Sequence, residues 1–142
     1  MKKNYIVLSI AVVLIGFVIF CFCHKNDISQ EQYIKDESNY ITVTGTVSYL
    51  SFNDDRTVLH IALTDLSEKL DDNAFKVFGE NLKVLQQKNI EQKLSVGMNV
   101  SITTAPKYFG DGYVFPVAAL VVDGDELLDF ETGLKNIREQ DE

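Results

Sequence analysis

Hydrophobic positions fall along this chain in three rhythms. From Tyr5 to Cys23 the sequence YIVLSIAVVLIGFVIFCFC carries no charge, so all faces of a helix there are apolar. At about 1.5 Å per residue such a helix is about 28 Å long, close to the roughly 30 Å hydrocarbon thickness of a bilayer. Residues 26–39 (NDISQEQYIKDESN) lose that run and read as a tether, or as a short helix over Gln30–Lys35. From Tyr40 the period becomes two. In ITVTGTVSYL, Ile41, Val43, Val47 and Tyr49 share a face with Gly45, and Thr42, Thr44, Thr46 and Ser48 share the other. This alternation predicts a half-buried antiparallel strand, with Gly45 marking a bend or bulge.

The same reading continues to the end of the chain. Phe52–Arg56 is a turn, and Thr57–Thr64 alternates with Leu59, Ile61 and Leu63 inward and Val58, His60 and Ala62 opposite. Asp65–Asn73 is a polar loop and Ala74–Phe78 a third strand. A helix follows, capped by Asn81, with Leu82, Leu85 and Val84 as its apolar stripe. Asn89 is its left-handed terminator, Ile90 packs back, and Glu91–Leu94 adds a turn. Val96–Ala105 alternates with Val96, Met98, Val100 and Ile102 inward, and Pro106–Gly112 is a loop. Tyr113–Val122 is a fifth strand in which Pro116 demands an edge or a bulge. Asp123-Gly124 is a hairpin turn before the closing segment Glu126–Phe130. Thr132–Glu142 makes a last short helix anchored by Leu134 and Ile137. The chain thus divides into an anchor (1–25), a linker (26–39), a β domain (40–131) and a C-terminal tail or helix (132–142).

Three strands, a helix and two more strands is the order of the OB-fold. The fold class expected is therefore all-β: an N-terminal transmembrane helix, then a five-stranded OB-like Greek-key barrel, β1-β2-β3-α-β4-β5, then a short C-terminal helix. Short motifs carry the likeness further. Val43, Gly45 and Val47 form V-x-G-x-V, and Leu94, Gly97, Val100 and Ile102 form L-x-x-G-x-x-V-x-I. With these, residues 38–123 resemble small bacterial membrane-anchored OB-fold proteins of the tRNA-anticodon-binding-like family. The resemblance implies a barrel whose ligands meet the face of strands two and three, rimmed by the loops at Phe52–Arg56 and Lys107–Gly112.

Charge changes the picture of partners. Lys2, Lys3 and Lys25 are the only charged side chains in residues 1–25. The whole chain holds 13 Lys and Arg against 21 Asp and Glu, so residues 26–142 keep ten cations against all the acids, a net −11. Nucleic-acid binding depends on cations neutralising phosphates, and this excludes nucleic acid as a partner. Positive residues precede the apolar run and acid follows it, which sets the amino end in the cytoplasm and the domain outside. Phe20 and Phe22 stand before Cys21 and Cys23, where a cleavage site needs a small residue, so the segment reads as a retained single-pass anchor. The two cysteines read as apolar filler at its outer end.

Candidate chemistry is sparse. No G-x-S-x-G, G-x-x-x-x-G-K-[ST] or G-x-G-x-x-G occurs, and His60 is the only histidine of the domain. Asp54-Asp55, Asp71-Asp72 and Asp123-Gly124-Asp125-Glu126 are either solvated turns or oxygen donors for Ca²⁺, without the D-x-[DN]-x-[DN]-G spacing. The sequence implies no cofactor, metal ligand or catalytic residue. Phe52, Tyr108 and Phe109 fall in turns and are either exposed anchors or plugs over the barrel ends. With Arg56 and Lys107 they form the candidate binding set. The function expected is a non-catalytic, membrane-tethered module binding a protein or an envelope component. The competing class is a carboxylate- or metal-dependent envelope hydrolase.

Overall fold

Strand β1 (Ile41–Phe52) takes two partners in succession. Its first half pairs with β4 (Asn99–Thr104), from Ile41↔Thr104 to Thr46↔Asn99, and its second half with β2 (Val58–Thr64), from Thr46↔Thr64 to Phe52↔Leu59. Gly45 lies where the pairing changes hands. A Cβ on it would stand 2.8 Å from the Thr64 carbonyl oxygen and 3.2 Å from the Leu63 Cβ, so the crossing requires a residue without a side chain.

The structure, a computed structural model, describes residues 28–110 and 114–140. Helix α1 (Gln30–Lys35) and a 3₁₀ turn (Glu37–Asn39) lead into β1. After β2 come β3 (Ala74–Phe78), α2 (Gly79–Gln87) and α3 (Ile90–Lys93). After β4 come β5 (Phe115–Val122), β6 (Asp125–Leu128) and α4 (Phe130–Glu139). The six strands form one sheet in the order β3-β2-β1-β4-β5-β6, each antiparallel to its neighbour. A short parallel pairing, Phe75↔Phe115 and Lys76↔Pro116, also joins β3 to β5. Pairings therefore lead from β1 through β2, β3, β5 and β4 back to β1. Among the described residues no helix is long and apolar enough to cross a membrane, and the apolar run 5–23 lies outside them.

The core is the inward face of these strands closed by helix. Val43, Val47, Leu59, Ile61, Leu63, Val100 and Ile102 are buried as the alternation predicts, and Phe75 and Val77 of β3 are buried with them. Phe75 and Phe115 meet edge to face at 6.1 Å across the parallel pair. Leu82 and Leu85 of α2 and Ile90 of α3 join the same cluster, and Asn89 between the helices is left-handed at φ 58°, as expected.

Several expectations are corrected. Tyr49 does not face inward. The register slips between Val47 and Tyr49, so Ser48 is an extra residue, the alternation changes phase, and Leu50 and Phe52 pack on the core instead. A bulge does this because it sets two residues against one on the neighbouring strand. Val96 is exposed and lies in a tight turn closed by the Met98 amide on the Ser95 carbonyl at 3.3 Å, with β4 starting only at Asn99. Asn81 is not a cap but a buried helical residue. Its amide donates to the carbonyls of Val117 (3.2 Å) and Gly133 (3.0 Å), and its Oδ1 accepts from Asn136 (2.9 Å). Pro116 does have a bulge beside it: Thr103 pairs with Ala119 and Thr104 with Val117, leaving Ala118 extra. Tyr113, the expected first residue of this strand, lies outside the described residues. The closing segment splits into a sixth strand and the start of α4, because Asp129 caps that helix by accepting the Thr132 amide at 2.8 Å. The boundary at 131/132 thus falls inside α4. Leu134 and Ile137 anchor it as expected, joined by Gly133, where a Cβ would meet the Ala118 carbonyl oxygen at 1.7 Å.

Gly45→Val overfills the crossing of β1 over Thr64, and we expect it to destabilise the domain by about 1–3 kcal/mol. Urea unfolding of residues 26–142 checks this; an unchanged midpoint contradicts the close approach.

Candidate functional site

The five residues of the candidate set are held by two different parts of the molecule. Phe52 ends β1 half-buried against the core, and the Arg56 guanidinium lies 4.4 Å from its ring centroid. Arg56 itself has a left-handed backbone (φ 57°), pairs with Glu91 of α3, and accepts at its carbonyl from the Gln86 side chain at 3.5 Å. The β1–β2 turn is therefore tied down on α2 and α3, with Phe52 beneath its cation.

The second group gathers on α1. The ring of Phe109 meets that of Tyr33 edge to face at 5.4 Å, and the Lys107 ammonium lies 5.3 Å from the Tyr33 ring and 5.0 Å from the Phe109 ring. Burial pushes the Tyr33 hydroxyl above its usual range. Tyr108 between the two is 47% exposed. Asp111 and Gly112 of the same loop lie outside the described residues. Helix α1 is fixed in turn: a capping box at Ser29 starts it, Tyr40 donates its hydroxyl to the Ile34 carbonyl at 2.6 Å, and Arg138 Nε of α4 donates to the Lys35 carbonyl at 2.9 Å.

Sequence reasoning missed a third surface. Past the Ser48 bulge, Tyr49 and Ser51 share the outward side of the sheet with His60 and Ala62 of β2 and Ala74 and Lys76 of β3. The register sets Tyr49 against Ala62 and Ala62 against Ala74, and sets Ser51, His60 and Lys76 in the next row. Tyr49 is 56% exposed, and its row-mates are methyl groups that leave its ring a flat shelf. A signal existed. The apolar positions jump from Val43 and Val47 to Leu50 and Phe52, a change from odd to even that only a bulge reconciles with one buried face.

A shallow groove of ≈ 410 Å³ crosses β1, β4 and β5, lined by Thr44, Thr46, Asn99 and Ser101 and by Asp65 and Asp123, both left-handed. Thr46 donates to Asn99 Oδ1 at 3.2 Å, and no cation or histidine lines the groove. The other acidic turns are dispersed. Asp72 accepts the amides of Asn73 and Ala74, Asp125 pairs with Lys93 at 2.9 Å, and Asp54 and Asp55 are exposed. Among the described residues no three His, Cys, Asp or Glu side chains are grouped to hold a metal ion.

The chain matches no family model, no curated protein and no solved structure. Ser51, set beside His60, donates its hydroxyl to the Phe52 carbonyl at 3.0 Å, and two of the surfaces present exposed tyrosines on fixed supports. Such groups suit contact with another surface.

Two predictions follow from the supports. Tyr33→Ala removes the ring under Lys107 and Phe109, so amide exchange at those residues should quicken several-fold while the Asn53–Thr57 turn is unaffected. Equal exchange in both loops contradicts the division. The second concerns acid. Hydrogen bonds from the Ser38 hydroxyl and amide hold Asp36 below its usual range, and those from the Thr132 amide and hydroxyl do the same for Asp129. A lowered folded value means stabilisation that is complete above the unfolded value of about 3.9 and lost as the pH falls through the folded one. Protection of the Ser38 and Thr132 amides should thus persist to about pH 4 and fall below it. Asp36→Asn and Asp129→Asn should flatten that response.

Proposed function

We propose that this protein is a membrane-tethered, extracytoplasmic binding module without catalytic activity, built on an OB-type barrel and engaging a protein or envelope component through the outward face of β1, β2 and β3. The tether is residues 5–23, with the flanking charge favouring the amino end inside. The barrel reading is supported by the circuit of pairings through β3–β5 and by the placing of α2 and α3 between β3 and β4, the order of that fold. The likeness to tRNA-anticodon-binding-like OB proteins is kept as part of this proposal.

One observation carries the choice of face: Tyr49 stands more than half exposed on the sheet where the alternation alone would bury it. A large aromatic beside two alanines is a ready anchor, since aromatic residues supply much of the energy at small interfaces. Lys76 adds positive charge to that face, suited to an acidic group on the partner. Phe52 acts beneath Arg56 as a support and not as an anchor. Carboxylates scattered through turns favour this reading over the hydrolase.

A photo-crosslinking residue at position 49 in the full chain, in its native membrane, should give a discrete adduct that the same residue at exposed Val96 does not. Lys76→Glu should weaken it. An adduct from both positions, or from neither, contradicts the assigned face. Protease added to intact, wall-stripped cells should remove the domain; protection contradicts the topology.

A further inference from the structure

Tyr33, Lys107, Tyr108 and Phe109 form a cluster that the proposed binding face does not absorb. We infer that this cluster, with Ile28, rests on the lipid surface into which the chain's own amino-terminal segment is inserted, fixing which side of the domain faces the bilayer. The inference rests on the tethered-module reading.

Reach comes first. Ser29 is six residue steps beyond Cys23, at most about 21 Å of extended chain at roughly 3.5 Å each. Tyr33 is one helical turn further on, about 6 Å. Whatever path residues 24–29 take, Ile28 and the Tyr33 cluster lie within a few tens of ångströms of the hydrocarbon edge, the near boundary of the headgroup layer.

Composition comes second. Tyr108 is 47% exposed and follows a lysine whose ammonium lies over two aromatic rings, and Ile28, 50% exposed, comes just before the helix that carries Tyr33. Tyrosines with lysines reaching from an apolar support are the residues that settle at a membrane–water boundary, the ring in the headgroups and the polar tip in water. Charge around α1 is partly balanced. Asp36 follows the helix directly, but Glu31 is paired with Lys35 at 2.9 Å, Glu37 of the 3₁₀ turn faces Arg138 at 4.0 Å, and Lys107 adds a cation to meet anionic headgroups. Rigidity comes third. The loop is pinned to Tyr33, and α1 is pinned to α4, so contact at Tyr108 orients the whole domain.

The chain contains no tryptophan, so one introduced indole reports alone. Full-length Tyr108→Trp protein is reconstituted in phosphatidylcholine–phosphatidylglycerol vesicles with or without acyl chains brominated near the headgroup. Tyr49→Trp and Val96→Trp proteins serve for comparison. Flotation is measured on each sample. The Tyr108→Trp emission should shift to shorter wavelength and be mostly quenched by brominated lipid, while the other two stay unquenched. An unquenched Tyr108→Trp protein that floats with the vesicles overturns the inference and leaves the tether standing, and equal quenching of all three overturns it too. A protein that does not float overturns the tether and the inference with it.

Discussion

Everything in this domain turns on the absence of one side chain where β1 passes from β4 to β2. The Thr64 carbonyl comes so near Gly45 that a Cβ would sit 2.8 Å from it. That approach lets one strand serve two partners, and the circuit of pairings through β2, β3, β5 and β4 depends on it. Three residues later the Ser48 bulge completes the change of direction. Glycine and bulge act together: the first admits the crossing, the second turns Tyr49 outward and Leu50 and Phe52 inward.

What was legible beforehand is what local pattern contains. The inward residues of β2, the left-handed Asn89, the Asp123-Gly124 turn and the helix over Gln30–Lys35 all follow from period, cap or turn chemistry in a few neighbouring residues. What was not legible depends on distant chain. Asn81 looks like a cap because asparagine so often bonds its own helix terminus, yet its partners are Val117, Gly133 and Asn136. The turn aromatics were identifiable as a set, but not which of them would be claimed. Phe52 is taken by the core and Arg56, Phe109 by Tyr33, and Tyr49 is released by a bulge whose trace is a one-residue change of phase.

The proposed division of labour has a physical economy. On the proposed reading, a chain tied to a membrane a few residues before its first helix keeps that end of the domain within reach of lipid. The β1–β2–β3 face, with small residues around a single tyrosine, is then the surface offered to a partner, and the acidic remainder discourages contact with nucleic acid and anionic surfaces. The caps at Asp36 and Asp129, both held below the usual carboxylate range by hydrogen bonds, start the 3₁₀ turn before β1 and the helix α4 to which α1 is pinned.

The measurement that tests the account most directly is a set of nuclear Overhauser contacts from the Tyr49 ring in residues 26–142. The account predicts contacts to the methyl groups of Ala62 and Ala74 and none to those of Val43 or Leu63. Contacts to Val43 and Leu63 would mean β1 runs without its bulge and Tyr49 is a core residue. The crossing at Gly45 would then not produce the surface on which the function is argued.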